Sequence, residues 1–270
     1  MTVSVVVATY EWPEALDAVL RGLADQSDRD FEVVVADDGS GPATAELLGA
    51  WSAHLPLRHV RQEDDGYRLA RVRNLGAREA GGELLVFMDG DVVPRRHFVR
   101  AMRSAAVPGW FVAGKRLLLG RELTARVLAD QVPVQRWSFP HWALHYEQAR
   151  PLRALTPRDR RLPGRDGLPE FVPHADGYGF LLGLSRGDFE RVNGYDARFT
   201  EWGGEDVDMA IRLRRAGLRC GWPGPQGTLL HLWHETRKTT VRPNDALLRE
   251  TEAGDRIEAL EGLHELGVPG

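Results

Sequence analysis

Apolar residues in the first third of the chain fall into two alternating patterns: short unbroken runs and stretches with helical spacing. Val3 to Ala8 is an unbroken β-branched run, and Pro13 opens a pattern in which Leu16, Val19, Leu20 and Leu23 share a face. Phe31 to Ala36 repeats the first type and ends in Asp37-Asp38-Gly39-Ser40-Gly41-Pro42, a strong turn signal. A helix over 43–54, a strand over Leu57–Val60, a helix over Leu69–Ala80 and a strand from Leu84 follow. Four strands separated by helices imply parallel pairing through right-handed crossovers, with helices on both faces of one sheet.

The second half reads differently. Arg121 to Pro173 is rich in Arg and Pro, with Trp137, Phe139, Trp142 and Tyr146 close together. Its prolines argue against long regular elements, so it reads as an irregular insertion or lid with a few anchoring aromatics. A strand is expected over Gly177–Leu184, and a helix after Glu205 that ends near Gly217. Leu229-Leu230 marks another strand end. Asp245 to Leu266 is predicted as one amphipathic helix, with Leu247, Leu248, Ile257, Leu260 and Leu263 as its packing stripe. The segments divide the chain into 1–120, 121–173, 174–240 and 241–270.

Composition narrows the classes. The 270 residues are 43% hydrophobic and 27% charged, ordinary for a globular chain with one full core. A net charge of -4 gives no reason to expect nucleic acid as a partner. The single cysteine, Cys220, excludes an internal disulfide and fits a reducing compartment. The N-terminus lacks a basic region before its apolar run and is not read as a secretory signal. No apolar run approaches spanning length, so a cytoplasmic chain without an integral membrane segment is expected, with peripheral membrane contact left open.

Chemistry concentrates in two acidic clusters. Asp89-Gly90-Asp91 ends an apolar run, where alternate carboxylates can turn toward one hard cation while glycine lets the backbone bend. The carboxyl ends of strands in an open α/β sheet are where ligands bind. The second cluster, Trp202-Gly203-Gly204-Glu205-Asp206-Val207-Asp208, opens a helix whose unpaired amides and dipole suit acids. Helix capping explains neither a Trp ahead of the cluster nor His231 and His234 downstream.

Two further motifs compete with this reading. Gly109 to Arg116 has P-loop spacing, but Arg116 stands where Ser or Thr should hold magnesium, which marks the match as accidental. Gly183-Leu184-Ser185-Arg186-Gly187 fits a nucleophile elbow, with Asp206 and His231 or His234 following in hydrolase order. Ser185 as the nucleophile of a serine hydrolase is the rival from another reaction class.

Several segments together resemble a known family. They are Val5 to Tyr10, Val35 to Ser40, Gln62 to Arg68, Ala70 to Gly76, Phe87 to Asp91, and Asn193-Gly194-Tyr195 through Trp202 to Asp206. In that order they resemble family 2-type glycosyltransferases of the GT-A fold, an α/β class with a mixed, mainly parallel central sheet. The second half is similar to the galactosyltransferase-type C-terminal region of β-1,4-galactosyltransferases and chondroitin-polymerizing enzymes. The resemblance implies a metal-dependent, inverting transfer from a nucleoside-diphosphate donor, UDP-sugar by default, to a hydroxyl of a glycan or small-molecule acceptor. The segment ranges become a nucleotide-sugar half at 1–120, an insertion at 121–173, an acceptor-binding and catalytic half at 174–240 and a C-terminal helix.

The same resemblance implies roles. Thr9, Tyr10 and Asp38 would bind the nucleoside, with turn capping the competing role for Asp37. Arg68 and Arg73 would contact the nucleotide or its phosphates. Asp89 and Asp91 would hold Mn²⁺ or Mg²⁺, with Asp91 the direct ligand and Asp89 nearer the ribose. His234 is placed ahead of His231 as the imidazole ligand. Asp206 falls at the general-base position, with Glu205 the second choice or an acceptor-orienting group. Trp202 would stack on a sugar beside Gly204, and Asp208 would cap or salt-bridge within the helix. The missing anchor, pore and second catalytic domain point to single additions. A non-catalytic sugar-binding module is the remaining alternative.

Overall fold

The computed structural model describes residues 1–145, 149–150, 161–163, 169–171, 179–235 and 243–267. Its first half follows the apolar pattern. Strands β1 (Val3–Thr9), β2 (Phe31–Asp37), β3 (Leu57–Arg61) and β4 (Leu84–Asp89) alternate with helices α1 (Pro13–Ala24), α2 (Pro42–Trp51) and α3 (Leu69–Glu79). Every residue of β1 is buried, as an unbroken apolar run demands when both faces are covered. Proline begins α1 and α2, where its missing N–H is no loss.

The remaining strands are β5 (Val92–Pro94), β6 (Trp110–Ala113), β7 (Arg116–Leu119), β8 (Ala149–Arg150), β9 (Arg161–Pro163), β10 (Pro169–Phe171), β11 (Leu181–Ser185), β12 (Arg219–Gly221) and β13 (Leu229–His231). The helices among them are α4 (Phe98–Ala105), α5 (Arg121–Leu128), α6 (Phe139–Leu144), α7 (Arg186–Arg191), α8 (Glu205–Arg215) and α9 (Asp245–Ala253).

The central sheet has the order β12-β6-β11-β4-β1-β2-β3. All its pairings are parallel except those of β11, which runs antiparallel to both β4 and β6. One face packs Val5, Val7, Val33 and Val86 against α1, α2, α4 and α5. The other packs Val6, Val34, Leu85 and Phe87 against α3, α7 and α8. A smaller sheet, β5-β13-β7-β8, stands beside the carboxyl end of β4. Among the described residues no helix is long and apolar enough to cross a membrane.

The segment Gly109–Arg116 runs along β6 into the first residue of β7, in keeping with its P-loop spacing being accidental. Two expectations change. The strand expected from Gly177 begins at Leu181; residues 177 and 178 lie outside the described residues, as does Tyr146. The helix expected over Asp245–Leu266 stops at Ala253, where Gly254 takes an extended conformation. Beyond it the chain is tied down by backbone bonds from Ala259 to Val192 and from Leu263 to Asn193. Ile257 and Leu263 still pack on the core, but from a loop. Apolar spacing records which residues are buried, and an irregular tail tethered every few residues gives the same record.

Candidate active site

The Asp89-Gly90-Asp91 turn joins β4 to β5 at the sheet's carboxyl edge. Gly90 is required there: a Cβ on it would meet the Ala8 carbonyl oxygen at 2.8 Å. Antiparallel pairing of β13 with β5 sets His231 opposite Val92, and the Leu232 N–H donates to the Asp91 carbonyl at 2.9 Å. This register delivers both imidazoles to Asp91. Its Oδ2 lies 3.6 Å from His231 Nε2 and 3.4 Å from His234 Nε2. One donor atom from each of the three residues falls within 4.8 Å of the others.

These residues fit a divalent cation. Asp91 Oδ1 is buried without a hydrogen-bond partner among the described residues, a condition a bound ion relieves. Burial, Arg116 and His234 push the His231 pKa down to about 4, so its ring is neutral and able to ligate near pH 7. Burial pushes both Asp89 and Asp91 up, against the pull of Arg73 on the first and of His234 and Arg116 on the second.

Behind Asp89 stands Arg73, 1% exposed. Its Nη2 donates to Asp89 Oδ1 at 2.7 Å and to the Gly179 carbonyl at 2.6 Å. Nη1 lies 3.5 Å from Glu205 Oε1, and the guanidinium sits over the Tyr195 ring. The next residue, Asn74, exchanges two hydrogen bonds with the Tyr195 backbone. The interior face of α3 therefore ties the β4 edge to the 179–205 region. Arg73 was expected against the nucleotide; its partners in the structure are two protein carboxylates and a carbonyl.

The second acidic cluster opens α8 after Gly203 and Gly204, both at positive φ. Asn244 donates to the carbonyls of Glu201 and Gly203 at 2.7 Å each, fixing the loop that presents Trp202, which is 64% exposed. Burial, then the charge of Asp206, pushes Glu205 up to about 7. Burial also raises Asp206, whose Oδ2 lies so near Gly179 that a Cβ there would meet it at 2.9 Å. Asp208 is fully buried and bonded to Arg212 one turn on, as an intrahelical salt bridge.

On the other side of the edge, Asp37 Oδ1 accepts from the Gly39 and Ser40 amides, so it caps the turn. The Asp38 carboxylate accepts from Gln62 and from the Arg68 N–H, and its own N–H donates to Thr9. Tyr10 is 49% exposed with its hydroxyl on Asp64, and the Arg68 guanidinium pairs with Asp65. Gln62 and Tyr195 organise the site, yet no role was read for them. Both sit inside quoted motifs, which was the available signal.

Ser185 is elsewhere. It pairs with Leu84, five residues and roughly 16 Å along β4 from Asp89. Its Oγ accepts from the Asp188 N–H and donates to the Asp188 carboxylate, capping α7. The hydrolase reading fails on this geometry, since Asp206, His231 and His234 gather at the opposite end of the strand.

The model of glycosyl transferase family 2 matches residues 4–158, more than half of the chain. The chain belongs to that family. A second model, the N-terminal domain of galactosyltransferase, matches residues 169–235, the stretch that holds Glu205, Asp206, His231 and His234. The validoxylamine A glucosyltransferase of Streptomyces hygroscopicus subsp. jinggangensis is 34% identical over 232 residues, covering 80% of this chain and 52% of its own. The chondroitin synthase of Escherichia coli is 28% identical over 250 residues, covering 84% of this chain and 34% of its own. The chain thus spans about half or less of these relatives. The solved structure of GalNAc-T7 with UDP, GalNAc and Mn²⁺ superposes with a TM-score of 0.63 at 14% identity, over 93% of this chain and 47% of that one. The fold is that of the GT-A glycosyltransferases.

Proposed function

We propose that the chain is a metal-dependent, inverting glycosyltransferase that moves a sugar from a nucleoside diphosphate, UDP by default, to a hydroxyl acceptor, leaving a β-linkage. One observation carries this reading. A three-residue cation site, Asp91 with His231 and His234, shares a sheet edge with an acidic pair, Glu205 and Asp206, linked to it through Asp89 and Arg73. Glycosyl transfer needs both, because negative charge grows on the departing diphosphate while the acceptor hydroxyl must lose its proton. Asp91, His231 and His234 would hold the ion, and imidazole ligands favour Mn²⁺ over Mg²⁺. When bound, it supplies Lewis-acid stabilisation to the leaving phosphate.

The chain's own groups do the rest. Asp206, half-buried at the start of α8 and raised by burial, takes the acceptor proton. The freed oxygen bonds the anomeric carbon as the bond to the diphosphate oxygen breaks on the opposite face, which inverts that centre. Glu205 faces Arg73 and orients the acceptor side. Trp202 offers an indole face to a sugar, beside Gly204, whose positive φ turns the chain into α8. Thr9, Tyr10, Asp38 and Arg68 form the nucleoside side, with Tyr10 exposed enough to stack on a base. On this reading residues 1–120 are the donor half and 174–240 the acceptor and catalytic half.

Calorimetric titration of UDP with Mn²⁺, repeated with EDTA and on Asp91→Ala, tests the reading. Micromolar-range binding that requires both the metal and Asp91 supports it. Silence of UDP, GDP and dTDP alike removes its support.

A further inference from the structure

Arg73 is held unequally by the two carboxylates it faces. Its Nη2 bonds Asp89 at 2.7 Å, while Nη1 stops 3.5 Å from Glu205. Its Nε and Nη1, and Glu205 Oε2, are buried without hydrogen-bond partners among the described residues. A buried guanidinium with free donors beside a buried carboxylate with a free acceptor is an incomplete pair, and incomplete buried pairs are costly. A modest shift of Arg73 completes it in the paired, fork-to-carboxylate form. That shift requires Asp89 to loosen its hold, and Asp89 opens the turn that ends in Asp91. The Tyr195 ring under the guanidinium and the Asn74 clamp on the Tyr195 backbone leave it a fixed track between the two sides.

We propose that Arg73 is a positioning residue that couples the donor side to the catalytic helix, passing from Asp89 toward Glu205 when Asp89 is drawn to a bound donor. Arg73 then sets Glu205, and with it the neighbouring Asp206, only once the donor is in place. This rests on the transferase reading above.

The coupling is reciprocal, so removing the Glu205 charge must alter the donor side. Glu205→Gln leaves Arg73 whole and is expected to change the Mn²⁺-dependent affinity for UDP by about five-fold or more. Arg73→Lys keeps the charge but cannot reach both carboxylates at once. It is expected to shift the Mn²⁺-dependent UDP affinity by about as much as Glu205→Gln does, and to lose about 100-fold in kcat beyond that. In the Glu205→Gln background the same Lys substitution should cost far less, because the bridge is already broken. UDP affinity indifferent to Glu205 overturns the proposal, as does an Arg73→Lys defect confined to donor affinity, which marks Arg73 as a phosphate ligand. Should Arg73→Lys fail to fold, the Glu205→Gln affinity decides alone. A parent protein that binds no nucleoside diphosphate sinks the transferase reading and this proposal together, whereas binding blind to Glu205 sinks the proposal only.

Discussion

His231 stands directly across the β5–β13 ladder from Val92, and the bond that closes the ladder runs from the Leu232 N–H to the carbonyl of Asp91. The Asp91 and His231 positions are thereby fixed by backbone pairing. His234, three residues on and 39% exposed, is held by no such ladder. Replacing either imidazole by Ala should lower Mn²⁺ affinity by about 10-fold or more. His234→Ala should leave thermal stability near that of the parent. His231→Ala, in a half-buried strand position, should also lower the unfolding temperature. Titration of Mn²⁺ alone, followed by thermal unfolding, checks both; full affinity in His234→Ala would remove that residue from the site.

Ser185→Ala separates two chemistries. As the cap of α7, Ser185 should contribute about 1 kcal/mol to stability. Its loss should leave transfer activity unchanged in enzyme that remains folded. Urea unfolding and a rate measured on folded protein read the two effects separately. Abolished activity with unchanged stability would restore the nucleophile.

The four parallel strands were legible because each is an unbroken apolar run ending in a polar turn, and both acidic clusters stood out at element ends. The small sheet was not. Its strands β5 and β13 are only three residues each, and their pairing joins positions more than a hundred residues apart, which no local pattern encodes. The reversed direction of β11 was hidden for the same reason: an apolar run carries no sign. Arg73 misleads in a different way. An arginine in a helix flanked by Arg71 reads as solvent-facing or ligand-facing, whereas its neighbour Asn74 shows that this face of α3 is interior.

Asp196 should make stability pH-dependent at the acid end. Burial alone would raise its carboxyl, but hydrogen bonds from Arg198 and Arg256 outweigh it and hold the pKa down at about 2. The folded group titrates below the unfolded one, at roughly 3.9. Its contribution, about 2 kcal/mol, is therefore complete above about pH 4 and fades as pH falls toward 2. Asp196→Asn should be less stable than the parent at pH 5 and should lose less between pH 4 and pH 2. Urea midpoints across that range check it; parallel curves would show that Asp196 is not the group responsible.

The tail is anchored by a close approach. A Cβ on Gly262 would run into the Asn193 carbonyl oxygen, and the Gly262 N–H already donates to Glu265. Gly262→Ala must displace the tail or the turn after α7, and should cost about 2 kcal/mol or more. Denaturant unfolding together with protease sensitivity near residues 255–267 checks this. A variant as stable and as resistant as the parent would mean the tail does not need that contact.

Trp202 gives the most direct test of the acceptor side. Its indole is largely exposed, so truncation removes little buried surface and should leave the unfolding temperature nearly unchanged. The loop should stay in place without it, because Asn244 holds the carbonyls on either side of Trp202. On the proposed reading the lost face is the one a pyranose stacks on, so Trp202→Ala should raise acceptor KM by about 10-fold while UDP affinity and slow donor hydrolysis to water stay as in the parent. Donor hydrolysis is the informative control, since it uses the cation site and the leaving group but no sugar acceptor. If hydrolysis and UDP binding fall together with transfer, Trp202 acts on the donor. If acceptor KM does not move, the exposed indole serves some other contact.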